Sequence, residues 1–460
     1  MRPTQWRRST HVAIGVAVLV LVAAVVGVAA VLTTGNSTSD AAAVKPAPPT
    51  ATAKPGIVPV ADSAAKPTPD RLAATLAPLV ADPNLGALTG RVTDAMSGAQ
   101  LWAQGADLPM QPASTNKVLT TAAALLALDR DARLTTRVMA SGQPGVVVLK
   151  GGGDPTLSAA PAGQATWYKD AARISDLADQ VRRSGTKVSA VQIDVSAYSG
   201  PTMAPGWDPA DIDGGDIAPM EAVMLDGGRT QPVSVDSARS TTPALDAGRA
   251  LAMALKVDPA TVTALPTGSR DGQEIASVQS PPLIERLQEM MKVSDNVMAE
   301  SIGREVAAEQ NRLQSFDGAV QAVLSQLDKA KIDTGNARLL DSSGLSVDDR
   351  LTAETLDGVV NAAGGSDQPN LRPLLDLLPI AGGSGTLSNR YLDTDAGRAA
   401  AGYLRAKTGS LTGTNALAGI VTDASGRVLT FAFISNNAGP TGRTAIDALA
   451  AVLRSCGCST

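Results

Sequence analysis

Histidine is nearly absent from this 460-residue chain: there is one, His11, beside an apolar segment near the N-terminus. A folded domain beyond that segment has no imidazole, which removes Ser-His-Asp and Cys-His hydrolases and nearly all zinc enzymes. Acid–base chemistry must then rest on Lys, Asp, Glu, Tyr or water. Cysteine is as scarce. Cys456 and Cys458 sit together at the C-terminal end, where they either form a local disulfide or lie in a loose tail. No metal site or redox motif can be assembled from them, and no cofactor is expected. Aromatics make up 2% of the residues against 44% hydrophobic, so the cores must be built from Ala, Val and Leu. A net charge of −5, with no long basic run, argues against a nucleic-acid partner.

What is present starts with an export signature. Arg2, Arg7 and Arg8 precede an unbroken apolar stretch from Val12 to Leu32. In a helix it spans roughly 30 Å, the thickness of a bilayer's hydrocarbon core. Residues 1–34 are therefore expected to be a plasma-membrane anchor or a cleaved signal, with the rest of the chain extracytoplasmic. Residues 35–69, rich in Ala, Pro, Thr and Ser, read as a tether.

The folded part follows. Alternating stretches at 86–93 and 100–104 flank a turn at 94–98. A buried helix is expected to start near Ser114. Pro281 to Gln310 is helical with a break at Ser294-Asp295-Asn296. Three strands, 402–410, 416–422 and 428–435, lead into a helix at 444–453. The expected division is a catalytic domain from 70–129 and 280–453, an insertion at 130–279 and a tail at 454–460. The fold class is α/β.

With imidazole excluded, a lysine must serve as base to any serine nucleophile. Ser-x-x-Lys occurs three times, at Ser63/Lys66, Ser114/Lys117 and Ser184/Lys187. The first lies in the tether and the third at a turn. Only Ser114 opens a long apolar helix, where residues i and i+3 share a face and Lys117 can reach the hydroxyl. The helix N-terminus offers N–H groups to a developing oxyanion, and apolar surroundings favour a neutral lysine. Two further patterns follow in order. Ser294-Asp295-Asn296 can aim Ser294 and Asn296 at one site only from a tight turn between helices. Lys407-Thr408-Gly409-Ser410 lies on an expected strand. There Lys407 and Thr408 can bind a carboxylate, and Gly409 lets a substrate backbone approach. Each pattern alone also fits an ordinary cap or turn. The ordered set is the constellation of penicillin-binding proteins and serine β-lactamases.

Over residues 72–453 the chain resembles the penicillin-binding-protein-4-like D-alanyl-D-alanine carboxypeptidases, the peptidase S13 family. Gly151-Gly-Gly-Asp-Pro-Thr-Leu157, Ala204-Pro-Gly-Trp207, Asp341-Ser-Ser-Gly-Leu-Ser346, Arg350-Leu-Thr352 and Leu378-Pro-Ile-Ala381 match family segments. Ser342 stands where the family usually has Gly. The 180 residues separating Ser114 from Ser294 fit the family's inserted domain. The resemblance implies a serine β-lactamase/DD-peptidase-like fold, an antiparallel sheet flanked by helices with an inserted α+β domain. It also implies carboxypeptidase or endopeptidase action on peptidoglycan stem peptides ending in D-Ala-D-Ala, and covalent binding of β-lactams. Ser114 would be acylated and Lys117 would take its proton. Ser294 with Lys407 would protonate the leaving amine, and Asn296 would bind the peptide amide. Thr408 and Ser410 would hold the terminal carboxylate, with the Ser114 and Ser410 amides as oxyanion hole. Asp194 would face the free amine of a diaminopimelate side chain, while Asp154 and Asp341 would be structural. A β-lactamase is the nearest rival, but its deacylating Glu-x-x-Leu-Asn segment is missing from the sequence. A catalytically idle wall-binding scaffold is the other, and it would not need the complete motif set.

Overall fold

The computed structural model describes residues 63–265, 268 and 272–455. His11, the apolar segment 12–32, most of the tether, and Cys456 and Cys458 lie outside the described residues. Among the described residues no helix is long and apolar enough to cross a membrane.

Two sheets organise the chain. The first is antiparallel, in the order β2-β1-β10-β9-β8. Its strands are β1 (Ala87–Asp94), β2 (Gln100–Gln104), β8 (Leu404–Leu411), β9 (Thr414–Thr422) and β10 (Val428–Asn436). The order follows from hydrophobicity. Val428-Leu-Thr-Phe-Ala-Phe-Ile-Ser435 is a near-continuous apolar run, which only a strand covered on both faces can bury, and β10 is the central strand.

Alternation then divides the core in two. Ala432 and Ile434 face a cluster built with helices α2 (Lys117–Ala127), α5 (Leu283–Val293), α6 (Asn296–Glu309), α7 (Phe316–Lys329) and α8 (Ala353–Gly364). Leu429, Phe431 and Phe433 face the opposite cluster, closed by α1 (Pro69–Val80) and α9 (Gly442–Ser455). The chain has three phenylalanines. Two of them stack on this strand with centroids 5.5 Å apart. The third, Phe316, packs edge-on against Trp207 at 5.0 Å, joining α7 to the loop at 204–207.

The second sheet runs β6-β5-β4-β3-β7 and uses only residues between α2 and α5. Its strands are β3 (Thr135–Ala140), β4 (Val146–Lys150), β5 (Ala190–Asp194), β6 (Thr263–Ala264) and β7 (Glu274–Gln279). The β4, β5 and β6 strands are parallel, so each needs a crossover; these are α3 (Ile174–Arg183) and α4 (Pro243–Leu255). The two helices cover the sheet with a core of their own, built from Val, Ile, Leu and Ala. The fold class is α/β, as expected.

A buried ion pair ties the end of β1 to the turn that enters its neighbour β10. Arg427, in the β9–β10 turn, donates from Nε and a terminal nitrogen to the two Asp94 oxygens, both at 2.6 Å. Asp94 is fully buried and Arg427 nearly so. Removing Asp94 takes two charge-assisted hydrogen bonds from a nearly buried guanidinium. Asp94→Ala should therefore lower unfolding free energy by about 3–5 kcal/mol in a urea titration. By contrast Asp395→Ala, which breaks an exposed pair with Arg398, should stay within about 0.5 kcal/mol.

Candidate active site

Three segments converge at the end of the first sheet where β8 meets β9. The first is a 3₁₀ turn, Ala113–Asn116, which passes directly into α2 at Lys117. The α-helix thus begins three residues later than Ser114. Ala113 explains the delay: its φ of 48° is left-handed, a conformation an alanine adopts only under constraint. The constraint comes from its neighbours. Asn116 Nδ2 donates to the Asp341 carbonyl at 3.1 Å, and Thr115 Oγ1 donates to the Pro112 carbonyl at 2.7 Å.

The second segment is the break between α5 and α6. Ser294 ends α5 with a φ of 63°, and Asp295 caps α6 by accepting the Met298 amide at 3.0 Å. The other Asp295 oxygen accepts the Tyr168 hydroxyl at 2.7 Å. The break expected from the sequence is present, and its left-handed residue turns Ser294 and Asn296 toward one cleft. The third segment is β8, with Lys407-Thr408-Gly409-Ser410.

Two Ser–Lys pairs result. Lys117 Nζ lies 2.9 Å from Ser114 Oγ, 2.6 Å from Asn296 Oδ1 and 2.8 Å from the Ser343 carbonyl. Lys407 Nζ lies 2.8 Å from both Ser294 Oγ and the Thr408 carbonyl. Both lysines are fully buried. Burial brings Lys117 down to about 8, against the pull of Asp341, Asp295, Glu300 and Asp216, whose charges favour the ammonium. Burial also takes Lys407 well below the ordinary lysine range, with repulsion from Lys117 and Arg390 adding to it.

The partners of Lys117 also satisfy a neutral amine. Asn296 Oδ1 and the Ser343 carbonyl can only accept, and a neutral –NH₂ has two hydrogens to give them. Its lone pair then remains for the Ser114 hydroxyl, the one partner able to donate.

Ser114, Ser294, Asn296, Thr408 and Ser410 line a cleft of about 610 Å³. Thr408 Oγ1 donates to Thr386 Oγ1 at 2.8 Å, and Thr386 lines the same cleft. Asn296 Nδ2 donates to the Asp216 carbonyl at 3.0 Å. Both ends of this amide are therefore engaged with protein.

Gly409 is needed for a reason other than substrate approach. A Cβ there would lie 2.6 Å from the Pro112 carbonyl and 3.1 Å from Ala113 Cβ. Its smallness lets β8 press against the turn carrying Ser114. Asp194 does not line the cleft. It is buried at the end of β5, with Oδ1 accepting the Ser196 amide at 2.9 Å and Oδ2 4.0 Å from Lys150 Nζ. The carboxylates on the cleft wall are Asp208, Asp211 and Asp216. Burial raises Asp211 and Asp216, and their mutual repulsion raises Asp211 further. The signal for them was the acidic run Trp207-Asp-Pro-Ala-Asp-Ile-Asp-Gly-Gly-Asp216.

Asp341 organises the loop behind Lys117. Its oxygens accept the Ser343, Gly344 and Ser346 amides and the Trp207 indole N–H at 2.6–3.0 Å. Ser342 does not have a positive φ, so the turn accepts it without glycine. Asp154 is likewise a loop residue, accepting the Thr156 amide at 2.8 Å and its hydroxyl at 2.7 Å.

The model of the D-Ala-D-Ala carboxypeptidase 3 (S13) family matches residues 72–240 and 231–455. The model of the Carboxypeptidase Rv3627c-like N-terminal domain matches residues 1–59. The chain is 74% identical to Carboxypeptidase DacB of Mycolicibacterium smegmatis over 459 residues, all of both chains. It is 63% identical to Carboxypeptidase Rv3627c of Mycobacterium tuberculosis over 464 residues, again all of both. In fold it matches penicillin binding protein 4 (dacB) of Haemophilus influenzae with a TM-score of 0.69 at 23% identity, covering 84% of this chain and 98% of that one. That protein has also been solved complexed with a β-lactam. A serine-type D-alanyl-D-alanine carboxypeptidase is thus indicated by motif order, fold and relatives alike, and the chain belongs to the D-Ala-D-Ala carboxypeptidase 3 (S13) family.

Proposed function

We propose that this carboxypeptidase removes the terminal D-alanine of peptidoglycan stem peptides through an acyl-enzyme at Ser114, and that β-lactams acylate the same oxygen. The reading is carried by one observation: Lys117 Nζ within 2.9 Å of Ser114 Oγ, with its other two partners pure acceptors. Ser114 Oγ attacks the carbonyl of the D-Ala–D-Ala bond while Lys117 Nζ takes the hydroxyl proton. The Ser114 and Ser410 amides hold the oxyanion. As the C–N bond breaks, Ser294 passes its proton to the leaving amine and takes up the one that Lys117 removed from Ser114, which leaves Lys117 neutral again; Lys407, 2.8 Å away, holds the Ser294 oxygen in place. Water then hydrolyses the acyl ester, with Lys117 again accepting a proton.

Thr408 and Ser410 hold the terminal carboxylate, with Lys407 behind them on β8. Asn296 orients Lys117 and, with the second hydrogen of Nδ2, meets the carbonyl of the peptide amide. The acidic wall of Asp208, Asp211 and Asp216 takes over the role that the family resemblance assigned to Asp194. It favours a stem peptide carrying a free side-chain amine. Cleavage of cross-links through the same acyl step is the endopeptidase form of the reaction. The division into a catalytic domain (70–129 and 280–453) and an insertion (130–279) is supported by the two sheets with separate cores. The body acts outside the plasma membrane, held by the N-terminal segment.

Intact mass of the full-length chain after benzylpenicillin should rise by one penicilloyl group, mapping to Ser114 and missing in Ser114→Ala. Turnover without a lasting adduct would favour the β-lactamase reading, and neither adduct nor turnover in folded protein would favour an idle scaffold. Lys117→Ala should slow acylation roughly 10²–10⁴-fold, measured by stopped-flow. Asp211→Asn should raise KM roughly fivefold for a pentapeptide with a free side-chain amine. The N-acetylated peptide, assayed in parallel, should be unaffected.

A further inference from the structure

Glu300 is fully buried, one turn into α6, and the reaction steps above make no use of it. Its Oε1 accepts the Ser342 amide at 2.9 Å, and its Oε2 lies 3.2 Å from Arg304, equally buried. The Ser342 carbonyl is held from the other side by Thr120 Oγ1 at 2.6 Å. The next carbonyl along, Ser343, is the one that takes a hydrogen of Lys117. The helix also makes room for this contact. At Gly303 a Cβ would lie 2.2 Å from Ser342 Oγ.

We infer that Glu300 is a positioning residue for Lys117: it fixes the Ser342–Ser343 segment so that the Ser343 carbonyl meets the amine, and it places a negative charge behind that amine. The inference rests on the Ser114–Lys117 reading and adds to it a group that touches neither substrate nor reacting atoms.

The charges facing the two groups are as follows. Lys117 faces Asp341 from the loop, Asp295 from the helix break, Glu300 from α6, Asp216 from the cleft wall and Lys407 from β8. Glu300 faces Arg304 on its own helix, and Asp341 and Asp349 from the loop and its end. Burial and Asp341 raise Glu300 to about 7. As pH rises through that value Glu300 gains its charge and stabilises the Lys117 ammonium. The rise of acylation with pH therefore lies higher than a neutral residue at 300 would leave it.

Two variants of the full-length chain separate position from charge. Glu300→Gln keeps an acceptor for the Ser342 amide and removes the charge. Its benzylpenicillin acylation profile should move to lower pH by at least about half a unit. Glu300→Asp keeps the charge beside Arg304 but draws the carboxylate one methylene back from the Ser342 amide. Its acylation rate at high pH should fall roughly tenfold or more, because the amine is no longer held against Ser114. Near-UV circular dichroism verifies folding, and the Asp variant, with its charge retained, serves if the Gln variant does not fold. A profile that stays in place in Glu300→Gln, or a wild-type high-pH rate in folded Glu300→Asp, overturns the inference. Failure of the Ser114 reading is distinguishable, because wild-type protein would then form no adduct at all.

Discussion

Everything at this site depends on taking two lysines out of water. Without an imidazole in the catalytic body, proton transfer near neutral pH requires a base whose ordinary value is too high, and burial is the physical means of lowering it. An ammonium buried among alkyl groups is unstable. An amine with two carbonyl acceptors and a hydroxyl donor is not, and those are the partners of Lys117. The same burial would be ruinous if any of the three partners were missing, so the surrounding fold has to deliver them accurately. Four carboxylates nearby keep the shift moderate, leaving Lys117 near 8 and not far below it.

That delivery explains features that look unfavourable in isolation. Ala113 and Ser294 both sit in left-handed backbone, at a cost of order 1–3 kcal/mol each. One aims the Ser114 hydroxyl at Lys117 and the other turns a helix break into the cleft. Gly409 lets β8 press against the strained turn. The loop at 341–346 is pinned by Asp341 from within, by Trp207 from the segment between the sheets' helices, and by Glu300 from α6. The site is thus assembled by packing between elements distant in the chain, and the acidic residues on the cleft wall come from the same segment as Trp207.

Much of this was legible in the sequence. The helix break at Ser294, the three closing strands and the order of the three motifs follow from local periodicity and turn chemistry. The Ser114–Lys117 contact follows from i,i+3 spacing. What local patterns could not supply is the partner arriving from afar: the Ser343 carbonyl comes from 226 residues away and leaves no side-chain signature. Glu300 was visible only as the end of Val297-Met-Ala-Glu300, with nothing to say that its carboxylate meets a loop amide. Gly409 was expected to serve the substrate; its close contact with Pro112 and Ala113 is a packing reason for glycine that the sequence did not show. Asp194 was assigned to the cleft by family position, yet β5 ends with it buried, and the run at 208–216 lines the cleft instead.

The most direct test of a neutral Lys117 as base is the pH dependence of Ser114 acylation in the wild-type chain. Second-order rate constants with benzylpenicillin should be measured from about pH 6 to pH 9, across the lysine value that burial produces. The neutral amine grows as pH rises, so the rate constant should climb to a plateau with a midpoint near 8. A rate constant that is flat across this range, or that falls with rising pH, would contradict the account.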